Sequence, residues 1–240
     1  MTLIRYIEPV DSNLYEEDRI KLLRSIASPK TTIEVCNLSL PKDLSGPMLP
    51  PLPLYINEII TEVLKAESEG CDAVIIGCCS DPGLPEAQRA VNIPVVGPLQ
   101  AAAATAAGRG LRLGILCPDE HDWKTTANWL RSNLRYYGLS EIVGPIRFVP
   151  MRSEDQTEDL IGNNELSYKD IEAIFRNKLH DNAVPLAIKM LKEDESNAVL
   201  FGCTLWGGMI GEIKNNIDAL CLDPIITAIH FAEFQASLRS

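Results

Sequence analysis

Cations are scarce in this 240-residue chain: 22 Lys and Arg face 33 Asp and Glu, a net charge of −11. Nucleic acid and anionic membrane surfaces both select an excess of positive charge, so neither is expected as a partner. Long apolar runs are missing too, and nothing approaches the roughly 18 residues of a bilayer-spanning helix. The opening MTLIRYIEPV lacks the basic region, apolar stretch and small-residue cleavage site of a secretory signal. A cytoplasmic location is therefore expected. Histidine is rarer still, since His121, His180 and His230 are scattered without metal-ligand spacing. No Cys-x-x-Cys or His-x-x-x-His pattern occurs, so no metal is expected. Gly108-Arg109-Gly110 is not a dinucleotide fingerprint, because Leu111 to Leu116 reads as a strand rather than a helix. No nucleophile elbow or phosphate loop is present, and no cofactor is expected.

Cysteine, by contrast, is plentiful. Cys36, Cys71, Cys78, Cys79, Cys117, Cys203 and Cys221 are odd in number and dispersed, which does not make a disulfide framework. In a cytoplasmic chain of this size they are free thiols, metal ligands or catalysts. Hydrophobic residues make up 46%, enough to bury one large core or two modest ones.

Short apolar runs alternate with segments of helical period. Leu3 to Ile7, Thr31 to Cys36, Asp72 to Ile76, Val95-Val96, Arg112 to Cys117, Pro145 to Val149 and Ala198 to Phe201 read as strands. Helices are expected near 12–27, along the face Ile56, Ile59, Ile60, Val63 and Leu64, and along Trp123, Ala127, Leu130 and Leu134. A further helix runs from Ser167 to Lys192 with a break near Pro185, and the chain ends on a helix carrying Ile225, Ile229 and Ala232. Gly70 suits a helix C-terminal cap. This alternation predicts an α/β fold with mostly parallel sheets and right-handed crossovers. Residues 45–55, SGPMLPPLPLY, read as a stiff proline loop, and residues 151–166 as an acidic surface loop.

An internal echo is the most informative feature. Val74-Ile75-Ile76-Gly77-Cys78 is matched by Val199-Leu200-Phe201-Gly202-Cys203, and each is followed by a short strand ending at Pro98 or Pro224. The interval from cysteine to proline is 20 residues in one copy and 21 in the other. Upstream, Ile4-Arg5-Tyr6-Ile7-Glu8-Pro9 is echoed by Leu113-Gly114-Ile115-Leu116-Cys117-Pro118. Two halves of like order thus each offer a cysteine just past the C-terminal end of a strand. There, turn N–H groups and a helix N-terminus stabilise a thiolate. If the halves face each other, Cys78 and Cys203 converge on one cleft. Two thiols flanking a planar carbanion suit removal of a proton from one face and delivery to the other. Cys36, Cys71, Cys117 and Cys221 are expected to be packing residues. Cys79 neighbours Cys78, and adjacent residues of an extended chain point to opposite sides, so one of the pair reaches the cleft.

Gly77-Cys78-Cys79-Ser80-Asp81-Pro82-Gly83-Leu84 resembles the Cys-x-x-Asp-Pro-Gly-Leu motif of hydantoin and allantoin racemases, in the aspartate/glutamate racemase superfamily. Pro94-Val95-Val96-Gly97, Gly202-Cys203-Thr204 and Leu222-Asp223-Pro224 are similar to later landmarks of that family, in order along nearly the whole chain. The resemblance implies two pseudo-symmetric three-layer α/β domains, with the active site in the cleft between them. The expected boundaries are 1–98 plus 218–240 for the first domain and 99–217 for the second. It further implies Cys78 and Cys203 as the two acid/base thiols. Glu8, Pro9, Val10, Cys79, Ser80, Asp81, Thr204 and Leu205 would contact a small-molecule substrate. A cofactor-independent racemase of hydantoin-like cyclic ureides follows, assembled as a homo-oligomer. A superfamily lyase, a cis–trans isomerase, an amino-acid racemase and a non-catalytic binding protein are the alternatives.

Several positions depart from the family pattern. Glu8-Pro9-Val10 stands where Asn-Pro-Asn is usual, placing a carboxylate that repels anions unless it is protonated or turned away. Trp206 brings an indole close behind Cys203, and Gln100 replaces an acidic residue. His121 is expected to be a surface cap rather than a residue of the cleft mouth.

Overall fold

The computed structural model describes residues 1–12, 16–40, 52–118, 123–151 and 167–239. The expectations for His121, for most of the proline loop and for the acidic loop after Met151 lie outside these residues.

Within them the expected alternation is present. The first sheet contains β1 (Thr2–Glu8), β2 (Thr31–Asn37), β3 (Ala73–Ile76) and β4 (Val95–Val96) in the order β2-β1-β3-β4. The second contains β5 (Leu113–Pro118), β6 (Val143–Val149), β7 (Ala198–Phe201) and β8 (Leu220–Leu222) in the order β6-β5-β7-β8. Every pairing is parallel. The same order in both sheets is the structural form of the internal echo.

The helices are α1 (Glu16–Ile26), α2 (Leu52–Ser68), α3 (Leu84–Ala90), α4 (Pro98–Gly108), α5 (Trp123–Tyr136), α6 (Tyr168–Lys178), α7 (Val184–Glu193), α8 (Ile210–Ile213) and α9 (Pro224–Ser237). β3 and β7 are buried at every position, as strands covered on both faces must be. Side chains alternate across each strand. Ile7, Val74 and Ile76 meet Tyr55, Ile59, Val63 and Ala66 of α2. Ile4, Tyr6 and Ile75 meet Leu23 of α1 and Ile225, Ala228, Ile229 and Ala232 of α9 on the other face.

The second sheet is covered likewise. Leu116, Val199 and Phe201 pack with Ile171, Phe175, Ala187 and Met190, while Ile115, Ala198 and Leu200 pack with Leu99, Ala102, Leu130 and Leu134. The result is two three-layer α/β lobes. The α4 helix faces both ways, since its Ala101 lies in the core of the first sheet and its Leu99 and Ala103 in that of the second.

Local details change some expectations and give form to others. Residues 52–55 form the first turn of α2 rather than the end of a loop, because a proline is tolerated where the helical N–H has no partner. The buried face of α2 is Tyr55, Ile59, Val63 and Ala66, and Leu64 is left exposed. The break near Pro185 is a π turn over Leu179–Ala183 between α6 and α7. It widens the helix just where the proline ring crowds the carbonyl four residues earlier. α9 and its C-terminal cap residue also present Ile226, Phe234 and Leu238 to solvent, an apolar stripe that sequence alone did not separate from its buried face. No described helix is long and apolar enough to cross a membrane.

Since α9 returns from the end of the chain to cover the first sheet, that core depends on it. Ile229→Ala is expected to cost about 2–5 kcal/mol of unfolding free energy in a urea titration, the usual range for emptying a fully buried site.

Candidate active site

Both cysteine turns begin where a fully buried strand runs out. Past β3, the Gly77 N–H donates to the Ile7 carbonyl and the Cys78 N–H to that of Ile76, both at 2.8 Å. Past β7, the Gly202 N–H donates to the Leu116 carbonyl at 2.6 Å and the Cys203 N–H to that of Phe201 at 2.8 Å. The Asp81 N–H then closes on the Cys78 carbonyl, and the Trp206 N–H on the Cys203 carbonyl, both at 3.0 Å. The two turns therefore match bond for bond at the positions the echo aligned. Glycine is required in the first, because a Cβ at Gly77 would lie 2.5 Å from the ring of Tyr6, which packs beneath it.

Cys78 and Cys203 are half-buried, while Cys79 is buried. The Cys78 sulfur lies 3.0 Å from the Ser80 hydroxyl; either group can donate, and the hydroxyl is the donor whenever the sulfur is a thiolate. Burial pushes the Cys79 thiol well above the usual range. Cys78 and Cys203 both lie near enough to Cys79 to push its thiol in the same direction. The hydrogen bonds that shape the turns use the N–H groups of Cys78, Asp81, Cys203 and Trp206, not those of Cys79, Ser80, Thr204 and Leu205.

The Glu8 carboxylate is turned away from solvent. It is buried against Arg19 of α1, whose Nε donates to it at 2.9 Å. Burial works against the Arg19 charge, but Glu8 together with Tyr6 and Tyr168 holds the guanidinium above its ordinary range. Pro9 is buried, and Val10 packs into the apolar cluster of the second lobe. Thr204 is also buried and its hydroxyl donates to the Gly77 carbonyl at 3.2 Å, while Leu205 is half-buried. Arg19 was not among the residues expected from sequence. It sits in Glu16-Glu17-Asp18-Arg19, which reads as a solvated face, and the only clue was that a carboxylate at a strand end needs a counterion.

A family model for Asp/Glu/Hydantoin racemase matches residues 24–232. The chain belongs to this family. The hydantoin racemase of Pseudomonas sp. (strain NS671) is 24% identical over 180 residues, which is 75% of this chain and 64% of that protein. The chain therefore spans somewhat less than two thirds of that curated relative. The structure of allantoin racemase from Klebsiella pneumoniae superposes with a TM-score of 0.76 at 21% identity, over 100% of this chain and 89% of the other. Allantoin racemase from Pseudomonas fluorescens gives 0.71 at 18% identity, over 100% and 92%. These likenesses bear out the two-lobed α/β architecture.

Within the family motif, Asp81 faces inward and away from solvent. Its carboxylate accepts the N–H groups of Leu99 (3.0 Å) and Gln100 (2.8 Å) at the start of α4 and the Tyr137 hydroxyl (3.0 Å). It ties the Cys78 turn to α4, with a left-handed φ of 49° that aspartate tolerates. In the second lobe Asp223 caps α9 through the N–H groups of Ile225 and Ile226 and holds the Gly208 N–H at 2.7 Å. Trp206 is fully buried against Phe175 and Phe201, with its indole N–H on the Phe175 carbonyl at 3.0 Å. It is part of the second core. Gln100 accepts from Gln88 at 3.0 Å. Among the described residues no group of His, Cys, Asp and Glu is arranged to hold a metal ion.

Burial lifts the Asp81 carboxyl to about 7, against the opposing pull of its donors. An unfolded aspartate titrates near 3.9. Between the two, the folded protein keeps a proton that the unfolded chain has released, so stability falls as pH rises through that window. Asp81→Asn has no such titration. Its stability deficit relative to wild type is expected to narrow between about pH 5 and about pH 8 in paired thermal or urea melts.

Thiol accessibility gives a second check. Near neutral pH, iodoacetamide should label Cys78 and Cys203 ahead of Cys79, and peptide mass spectrometry would read the order. Burial also raises the thiols of Cys36 (to about 12), Cys71 and Cys221, which should react slowly. Ser80→Ala should slow the labelling of Cys78.

Proposed function

We propose that the protein is a cofactor-independent racemase of a hydantoin-like cyclic ureide, a 5-substituted hydantoin or allantoin. Cys78 and Cys203 act as paired base and acid in a cleft between the lobe built on the first sheet and the lobe built on the second, which keeps β8 (Leu220–Leu222) and so extends beyond the boundary at 217 expected from sequence. The observation that carries this reading is the bond-for-bond match of two turns, each opening on a half-buried cysteine at the tip of a buried strand.

The hydrogen at the stereocentre of such a ring is acidic because the carbanion spreads into the adjacent carbonyl as an enolate. One cysteine, as thiolate, takes that proton to its sulfur. The other, as thiol, delivers its own proton to the opposite face, so the ring is inverted and the two sulfurs exchange protonation states. The enolate oxygen needs donors in place before it forms. The N–H groups of Cys79, Ser80, Thr204 and Leu205 are suited to it, since the turns do not use them internally. Glu8, neutralised by Arg19, contributes no net charge. That supports an uncharged ring in preference to a free amino acid, whose carboxylate calls for an unpaired cation.

Single enantiomers of 5-substituted hydantoins, allantoin, amino acids and substituted malonates, followed in deuterium oxide by NMR and polarimetry, test the reading. The wild type is expected to abolish the optical rotation of a ureide while deuterium enters its stereocentre. Cys78→Ala and Cys203→Ala should each lower inversion by roughly 10²–10⁴-fold, the usual weight of a positioned acid or base. Each should still exchange one enantiomer, and not the same one. Cys79→Ala should keep inversion. Inversion surviving in either of the first two variants sinks the paired-thiol mechanism, and carbon dioxide from a malonate would identify a lyase instead.

A further inference from the structure

We infer that Arg19 is a positioning residue that holds the Cys203 turn in place opposite the Cys78 turn, with Glu8 as its charge partner. This inference rests on the paired-thiol reading above.

Arg19 is only 4% exposed although it lies in an acidic helix start that could have kept it in water. Burying a guanidinium is costly unless its charge is met and its donors are used. Nε meets Glu8 at the end of β1, in its own lobe. Nη1 crosses to the other lobe and donates to the carbonyl of Thr204, the residue after Cys203, at 3.0 Å. From Thr204 the connection returns, because its hydroxyl donates to the carbonyl of Gly77, the residue before Cys78. Glu8, Arg19, Thr204 and Gly77 thus form one chain of contacts that links the two cysteine turns. The Arg19 guanidinium carbon also stands 5.8 Å from the centre of the Tyr6 ring, which supports Gly77 from below.

Neutralising Glu8 alone would need only a point charge. A guanidinium instead sends donors in fixed directions, here to two acceptors in different lobes, and so sets orientation as well as charge. Its Nη2 is buried without a hydrogen-bond partner among the described residues. The opposite crossing also exists. Asn133 of α5, in the second lobe, donates to the carbonyls of Ser80 (2.9 Å) and Asp81 (3.2 Å) in the first. The helix after the first strand of each lobe therefore grips the other lobe's cysteine turn. The grip on Cys203 is charge-assisted, and that on Cys78 is neutral.

Removing Arg19 takes away the charge-assisted grip on the Cys203 turn, which keeps only its neutral tie to Gly77 and its tie to Asp223, and leaves the Cys78 turn held by Asn133. A displacement of about 1 Å in a reacting group costs on the order of 10²-fold. Inversion uses both thiols, and because the two enantiomers are equal in energy, kcat/KM must fall equally in both directions. Exchange without inversion uses one thiol only. The enantiomer whose hydrogen faces Cys78 should go on exchanging, while its mirror image loses exchange along with inversion.

The test compares Arg19→Met, Arg19→Lys and the double variant Glu8→Gln/Arg19→Met with wild type on each enantiomer of a turned-over ureide. Inversion, deuterium in the recovered starting enantiomer and melting temperature are all measured. The double variant leaves no unpaired buried carboxylate, so it answers the question if Arg19→Met does not fold. Expected is a fall in inversion of roughly 10²-fold, with exchange of one enantiomer kept near the wild-type rate and that of the other lost. Lysine should restore the melting temperature more fully than it restores inversion. Exchange and inversion falling together for both enantiomers, or inversion unchanged in the double variant, would overturn the inference while the racemase reading stands. A wild type that neither exchanges nor inverts any ureide overturns both.

Discussion

Burial of β3 and β7 on both faces leaves neither strand a position where a polar side chain could be hydrated. Polar chemistry is therefore displaced to the strand ends, where the backbone leaves the ladder and turns. At both ends the exit has the same form: a glycine still bonded to the neighbouring strand, then a cysteine whose N–H turns back on the residue two before it. The position of the thiols follows from where the apolar runs stop. The helices on either face, α9 and α2 around one sheet and α4 to α7 around the other, hold those strands rigid.

The two lobes solve one further problem by different means. Each cysteine turn must be tied to the helix that opens at the following proline. In the first lobe the carboxylate belongs to the turn, and Asp81 reaches forward to the N–H groups that begin α4. In the second it belongs to the helix, and Asp223 reaches back to Gly208 in the turn while capping α9. Both carboxyls are raised by burial, so both ties put helix N-terminal donors around a group otherwise disfavoured as an anion. An ancestral repeat can preserve such a function without preserving the residue that performs it.

Much of the fold was legible because parallel α/β architecture writes itself in short apolar runs and helical periods. Val74 to Cys78 and Val199 to Cys203 could be aligned by eye, and the hydrogen bonds later matched at those positions. Less local features were not legible. Asp81 reads equally well as a ligand contact in a turn or as a cap for a distant helix, and only its bonds to Leu99, Gln100 and Tyr137 distinguish them. Trp206 follows the second cysteine closely in sequence, yet the strand-to-turn geometry sends its ring into the core beside Phe175. Arg19 looked like one charge among several on a solvated helix face, since nothing nearby in sequence shows that Glu8 and Thr204 lie against it.

By itself the sequence determined the parallel sheets, the duplication and the two cysteines at equivalent strand ends, because periodicity and turn chemistry act over a few residues. The tertiary structure alone decided that Cys78 and Cys203 are half-buried while Cys79 is closed off, and that Glu8 is neutralised rather than repelling. It also decided that each lobe is gripped by a helix of the other. Those outcomes depend on groups far apart along the chain, Arg19 and Thr204 or Asn133 and Ser80, and no local pattern encodes a contact that folding alone brings within hydrogen-bond distance.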